Sequence, residues 1–163
     1  MQKDDLVYEV IISDTSSLSN FVKIGRLDLF KELYDRVTIT PEVLEEYTLK
    51  FKDKLPEWID IKEAKDKNRV AEINNKLGLG ESSAIALANE KPDTSLLIVD
   101  DKKARNYAID MGLDTIGSIG IIRRAVKKNI IKSKEEANRI FEDLKSNGLW
   151  INDELFESIK YPI

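Results

Sequence analysis

Two runs of consecutive apolar residues lie along the chain, and each is followed by acid. Residues 10–12 lead to Asp14, and residues 96–99 lead to Asp100 and Asp101. Neither run alternates between apolar and polar positions, which is typical of strands that are buried on both faces of a parallel sheet. The pattern therefore predicts two central strands with carboxylates at their carboxyl ends.

Most other segments carry apolar residues at helical spacing between capping and terminating residues. Thr40 and Pro41 predict the start of one helix, and Ser133 with Glu136 forms a capping-box pattern. Gly80 opens a compact Ala-rich helix in which Glu81 is expected to be the first residue. Helices are predicted at residues 16–24, 27–34, 41–47, 65–77, 82–88, 102–111, 119–128 and 133–144, further strands at 36–40, 58–61 and 115–116, and a terminal helical arm at 150–161.

The alternation of strands with helices predicts βαβ units. Such units form a parallel sheet with helices on both faces, so we expect an α/β fold with three layers, α/β/α. The length of 163 residues suits one domain, which we place at residues 1–163, with residues from about 133 to 163 as a helical C-terminal extension.

Composition restricts the available chemistry. The chain contains no Cys and no His, which excludes disulfides, thiolate ligands, a Cys nucleophile and an imidazole base. Its net charge of −4 argues against nonspecific coating of nucleic acid, although local cationic patches can still bind phosphate. The first apolar run is too short for a membrane span or a secretory signal, so we expect a cytoplasmic protein without membrane contact.

Four acidic residues are expected at one edge of the sheet, where ligands bind in open parallel folds. Asp14 and Asp100 follow the two central strands, and Glu46 and Glu81 lie near the starts of two helices that should begin there. Clustered carboxylates repel one another and call for a cation, and oxygen ligands favour Mg²⁺ or Mn²⁺. Such an ion can generate hydroxide near neutral pH and clamp a phosphodiester.

Each of these residues also has a purely structural interpretation. Asp14 and Asp100 can cap helices, Asp101 and Glu81 can interact with helix dipoles, and Glu46 can be a solvated helix residue. The two interpretations predict different stabilities for Asp→Asn variants of the metal-free protein. If Asp14 and Asp100 belong to a like-charged cluster, changing either one to Asn should leave stability unchanged or higher.

The order of these segments resembles the PIN-domain superfamily. The resemblance is carried by residues 10–18, 25–30, 40–46, 79–81 and 97–105. The ending at residues 147–155 is similar to a subgroup once catalogued as a domain of unknown function and related to VapC-type toxins. The resemblance implies a PIN-like fold and a metal bound by four residues, Asp14, Glu46, Glu81 and Asp100.

The resemblance also implies a function, the hydrolysis of single-stranded RNA by metal-activated water. It implies a toxin of a toxin-antitoxin pair, an antitoxin protein as partner, and a homodimer. The doubled acid leaves open whether Asp100 or Asp101 faces the ion.

The helix after Pro41 offers three glutamates for the metal, and the resemblance favours Glu46. On a helical wheel Glu46 lies about 115° from the centre of the apolar face, nearer its border than Glu45 at about 145° or Glu42 at about 155°.

Substrate contacts are predicted less directly, from hydroxyl and basic residues. Arg123 with Lys127 and Arg124 with Lys128 are i, i+4 pairs that predict two cationic rows on one helix, although such a face can equally be solvated. The sequence does not interleave aromatic and basic residues, the pattern that would indicate sequence-specific base recognition. The candidate substrate-binding residues are Ser16, Lys102, Arg105, Arg123 and Lys127.

Three other functions are possible for an acidic α/β domain of this kind. A non-catalytic PIN-fold module that binds RNA or protein stays open. A phosphatase of the haloacid dehalogenase type is disfavoured because Asp14 is followed by Thr15 and Ser16 rather than by a second Asp. A phospho-receiver is disfavoured because no acidic pair precedes Asp14.

Overall fold

The computed structural model describes residues 7–150 of the 163-residue chain. Five strands lie in this range, and each is formed by an apolar or β-branched segment of the sequence. Most of the predicted C-terminal arm, residues 151–161, lies outside the described residues. The strands are β1 (Val10–Ser13), β2 (Val37–Ile39), β3 (Ile59–Ile61), β4 (Ser95–Ile98) and β5 (Asp114–Ile116).

Eight helices connect and follow these strands within residues 7–150. None of them has both the length and the apolar character that crossing a membrane requires. The helices are α1 (Thr15–Lys23), α2 (Asp28–Tyr34), α3 (Pro41–Lys50), α4 (Lys67–Asn74), α5 (Leu79–Ala88), α6 (Lys102–Asp110), α7 (Ser118–Lys127) and α8 (Lys134–Ser146).

All strand pairs are parallel, in the order β3-β2-β1-β4-β5. The chain builds one half of the sheet outward from β1 and then crosses over to build the other half from β4. Residue Ile12 of β1 is paired with Leu97 of β4. The switch in strand order therefore lies between β1 and β4, where their carboxyl ends leave room for a ligand.

Alternate residues of β1 and β4 point to opposite faces of the sheet. Ile11, Leu96 and Ile98 belong to a core formed mainly with α1, α2, α3, α7 and α8. Ile12 and Leu97 belong to a second core, formed with α4, α5 and α6. Because both faces are covered, these strands need apolar residues at successive positions, and the predicted three-layer α/β/α fold is confirmed.

One helix boundary differs from the prediction in a way that affects the site. Helix α5 begins at Leu79, with Gly78 as its N-cap, so Glu81 is its third residue rather than its first. Gly78 was expected only to end the preceding helix. The backbone of Gly78 is extended, which suits an N-cap, so this glycine starts the next helix.

Candidate active site

Asp14 and Asp100 meet at the carboxyl edge of β1 and β4. Ser17, in the first turn of α1, connects them. Its backbone N–H donates to Asp14 Oδ1 at 2.9 Å, and its hydroxyl donates to Asp100 Oδ2 at 3.1 Å. The edge predicted from the two apolar runs therefore brings these two carboxylates together.

Asp14 uses one carboxylate oxygen structurally and leaves the other without a partner. Oδ1 caps α1, whereas Oδ2 is buried and accepts no hydrogen bond from the described residues. The pKa of Asp14 is raised to about 7, mainly because the side chain is fully buried. The bonds from Ser17 oppose this shift, and the charges of Asp100 and Glu81 add to it. A cation beside Oδ2 would stabilise the ionised form.

Asp100 is held by four hydrogen bonds from three residues. Ser17 Oγ and Asn20 Nδ2 each donate to Oδ2 at 3.1 Å. From the start of α7, Ser118 donates its backbone N–H to Oδ1 at 2.7 Å and its hydroxyl to Oδ2 at 2.5 Å. These bonds fix the carboxylate at the junction of α1, β4 and α7.

Of the two adjacent acids after β4, Asp101 is the helix cap. Its Oδ2 accepts the Ala104 N–H at 2.9 Å, and the side chain is exposed. Asp100 does not cap α6. The structure thus places Asp100 against the Asp14 side of the site and Asp101 at its rim.

Glu46 lies against the first turns of α1 and α5. Thr15 Oγ1 donates to its Oε1 at 2.5 Å, and the Gly80 N–H donates to its Oε2 at 3.2 Å. A β-carbon added to Gly80 would lie 2.6 Å from Thr15 Oγ1 and closer still to Glu46 Oε1. The absence of a side chain at Gly80 therefore makes room for the Glu46 carboxylate, whereas Glu45 is exposed.

Glu81 combines a capping role with a place near the acidic group. Its Oε2 accepts the Gly78 N–H at 3.3 Å, so the Glu81 side chain caps the start of α5. Partial burial raises the pKa of Glu81, and the charges of Asp101 and Glu46 add to the effect. The structure therefore places Glu81 within electrostatic reach of three other carboxylates, including Asp14.

The four carboxylates share one edge but do not form a closed ligand shell. Among residues 7–150, no three acidic side chains approach closely enough to ligate one ion together. Mg²⁺ commonly keeps several waters and takes only one or two carboxylates, so such a shell is not required. The oxygen-only donors and the unpartnered buried Oδ2 of Asp14 fit Mg²⁺ or Mn²⁺.

A cleft of about 710 Å³ opens beside Asp100. Three of the predicted substrate residues, Ser16, Lys102 and Arg105, line it. Arg105 Nη2 also donates to the Asp100 backbone oxygen at 2.8 Å. The cleft is further lined by Asn20, Lys23, Asp101, Asn106, Ile119, Asn147, Gly148, Leu149 and Trp150.

The two predicted cationic rows of α7 are not both on the surface. Arg124 is only 9% exposed, its Nη1 donates to the Tyr34 hydroxyl at 3.0 Å, and its guanidinium lies 5.9 Å from the Tyr34 ring centre. The prediction of a second row was therefore wrong, because Arg124 packs between helices. Arg123 and Lys127 are exposed on α7, but they do not line the cleft beside Asp100.

The residues that orient the carboxylates were not identified from the sequence. Thr15 and Ser17 contact the acids, whereas Ser16 between them is exposed in the cleft. A usable signal existed for Ser17, since it lies three residues after the Asp14 cap, and for Asn20, one turn later on the same face. Ser118 had a weaker signal, as a small polar residue after a strand.

Comparison with known proteins agrees with this architecture. The searches of curated proteins and of solved structures found no match. The family model DUF3368, described as a PIN domain, matches residues 10–161. That range includes all five strands and all the acidic residues of the site. The chain therefore belongs to the PIN-domain superfamily.

Proposed function

We propose that this protein is a divalent-metal-dependent endoribonuclease that hydrolyses single-stranded RNA. PIN domains are generally nucleases and typically use divalent metals. The observation that carries the proposal is Asp14, a buried carboxylate with one unpartnered oxygen, next to Asp100 at the switch in strand order. A buried charge of this kind is costly without a cation, so its placement has a functional explanation.

Different residues of the site would bind the metal, orient its ligands and contact the RNA. Asp14, Glu46, Glu81 and Asp100 would hold Mg²⁺ or Mn²⁺ partly through bound water, because no three of these carboxylates approach closely enough to ligate one ion directly. The ion, when bound, lowers the pKa of water and supplies positive charge for the phosphate. Ser17, Asn20 and Ser118 keep the Asp100 carboxylate oriented. Thr15 and Gly80 do the same for Glu46. Lys102 and Arg105 bring positive charge to the cleft, where it can bind the RNA backbone.

We expect the purified protein to cut single-stranded RNA with Mg²⁺ or Mn²⁺ and to stop when EDTA is added. With no His in the chain, we expect attack by water and not by the RNA 2′-hydroxyl. Gel analysis of a mixed RNA pool, followed by end-group analysis, checks both points. Cleavage that survives exhaustive chelation, or products that mainly carry 2′,3′-cyclic phosphate, would contradict the proposal.

Glu46→Gln is expected to lower the cleavage rate at least tenfold, or roughly 1.4 kcal/mol of transition-state stabilisation. Glu46 contacts Thr15 and Gly80 at the site, whereas Glu45 is exposed. Glu45→Gln and Glu42→Gln remove the same charge from the same helix and should stay within about threefold. Single-turnover rates of the three variants show which glutamate of α3 serves the site. An inactive Glu45→Gln with an active Glu46→Gln would assign that role to Glu45 instead.

A toxin role is supported by the resemblance to VapC-type toxins. If the protein is such a toxin, its induced expression should arrest growth. Co-expression of a small open reading frame next to its gene should restore growth. The same induction with Asp14→Asn is the control, and growth arrest by that variant would point away from cleavage as the cause.

A non-catalytic PIN-fold module is the second candidate. It is favoured by one observation, the lack of three converging carboxylates among residues 7–150. Calorimetry with Mn²⁺ and a turnover assay on the same preparation separate the two candidates. Metal or RNA binding without any cleavage would select the module.

A further inference from the structure

The cleft beside Asp100 contains two residues, Lys23 and Trp150, that have no role in the proposed hydrolysis, and they lie beside Lys102. Its volume of about 710 Å³ is in the range of sites that enclose a small ligand. Lys23 enters from the last turn of α1, and Lys102 from the first residue of α6. Trp150 enters from the segment after α8. Three distant parts of the chain therefore meet next to a proposed metal ligand.

Trp150 presents its indole to solvent. The side chain is 78% exposed, and it is the one aromatic residue among the large exposed hydrophobic residues in the described part of the chain. The only other tryptophan, Trp58, is partly buried against the larger core. An exposed indole at the wall of this cleft offers a flat surface on which a nucleobase can stack.

The two lysines of the cleft keep their charges available. Among residues 7–150, neither Lys23 nor Lys102 forms an ion pair, whereas Lys67 and Lys91 do, with Glu63 and Glu9. Lys102 is also the first residue of α6, where the positive end of the helix dipole disfavours a cation. The helix dipole therefore does not account for Lys102, whose exposed charge can attract an anion.

We propose that this cleft binds the nucleotide next to the scissile phosphodiester, with the base stacked on Trp150 and backbone phosphates contacting Lys23 and Lys102. The inference rests on the proposed nuclease function, because Asp100 connects the cleft to the reacting phosphate. A base can reach the indole only when it is not paired in a duplex. Stacking accepts any base, so the subsite selects single strands with little dependence on sequence.

Binding is tested in EDTA, so that the result does not depend on turnover. In the Trp58→Phe variant Trp150 is the only tryptophan. A 12-nucleotide oligouridine should quench its fluorescence saturably, and an RNA duplex of equal length should not. Absence of quenching by the single strand, or equal quenching by the duplex, would overturn the subsite.

Affinities of variants for a dye-labelled oligouridine, measured by anisotropy, test the individual contacts. We expect Trp150→Ala to raise Kd at least fivefold and Trp150→Phe to stay within about threefold, because a smaller ring can still stack. The double change Lys23→Gln with Lys102→Gln should raise Kd at least fivefold and flatten its salt dependence. The matched pair Lys31→Gln with Lys50→Gln removes equal charge from other exposed helix positions and should have little effect.

The result also separates this inference from the proposed nuclease function. Cleavage with unchanged Kd in Trp150→Ala would overturn the subsite and leave the nuclease intact. Quenching with the expected variant effects, but no cleavage in Mn²⁺, would support the subsite in a non-catalytic protein. A control pair of lysines that weakens binding as much as the cleft pair would also overturn the subsite, because only overall charge would matter.

Discussion

Asp14→Asn is expected to lower RNA cleavage at least a hundredfold. At pH values above 7 it should also raise the melting temperature of the metal-free protein. The substitution keeps an oxygen that can cap α1 through the Ser17 N–H. It removes the buried charge on the side where Oδ2 has no partner among the described residues. Activity and stability should therefore change in opposite directions, as expected for a site that is strained without its ion.

The gain in stability should depend on pH in a defined direction. The pKa of Asp14 is about 7 in the folded protein, against an ordinary value of 3.8. Between these values the folded state binds the proton more tightly, so wild-type stability falls as pH rises from about 4 to 7. The variant lacks this loss, which is on the order of a few kcal/mol at most for a shift of this size.

Thermal unfolding in EDTA at pH 5 and pH 8.5 measures the effect. We expect Asp14→Asn to melt at least about 3 °C above wild type at pH 8.5, with a clearly smaller difference at pH 5. An equal difference at both pH values would show that the Asp14 charge does not cause it. A lower melting temperature at pH 8.5 would show that the carboxylate is mainly structural.

Asp100→Asn provides the contrasting variant. It should also lose cleavage, but here the metal-free protein should become less stable. The four groups that bond to Asp100 are all N–H or O–H donors, which need an acceptor oxygen. An Asn amide would place its own N–H₂ donor against some of them, so those groups would lose their acceptor. The expected cost is about 1–3 kcal/mol for unsatisfied buried donors. Charge alone predicts no loss of stability for either Asp, whereas the hydrogen bonds around Asp100 predict a loss for Asp100→Asn.

Gly80→Ala is expected to lower cleavage by about two orders of magnitude, or roughly 2.7 kcal/mol of transition-state stabilisation. The new methyl group would overlap both the Glu46 carboxylate and Thr15 Oγ1, so Glu46 must leave its position. The matched control is Gly78→Ala, two residues earlier. Its methyl group would meet only Glu81 Oε2, at an ordinary 3.8 Å, and its cleavage rate should stay within about threefold.

A double-mutant cycle tests whether Gly80 acts through Glu46. In the Glu46→Gln background, Gly80→Ala should reduce the rate much less than it does in wild type. Circular dichroism and melting temperature show whether the variants remain folded. Full additivity of the two changes, or normal activity of Gly80→Ala, would refute the role assigned to this glycine.

The fold was predictable because burial on both faces leaves a strong pattern. The apolar runs at β1 and β4 indicated the central strands and the edge where Asp14 and Asp100 lie. The wheel position of Glu46 agrees with its contacts, since Glu46 is half-buried and Glu45 is exposed. The wheel does not account for Glu42, which it places farthest from the apolar face but which is also half-buried. These predictions depended on the period of one strand or one helix, which the local sequence records.

Features created by contacts between distant segments were not predictable. The Gly80 clearance exists only because α1, α3 and α5 meet, and the cleft joins Lys23, Lys102 and Trp150 across more than a hundred positions of sequence. Arg124 matched a surface pattern, but it packs against Tyr34 because α2 lies beside α7. Periodicity within one helix cannot reveal such neighbours.

The hydrogen bonds around Asp100 also have a consequence for biosynthesis. Two of the four come from Ser118, and β1 must pair with β4, about 85 residues later in the chain. During translation the N-terminal part of the chain emerges first, long before its partners in the sheet. A nascent chain that stops before Ser118 contains every acidic residue of the site but cannot assemble it. Under the proposed function, the chain would therefore be unable to cut RNA until most of its length has been synthesised.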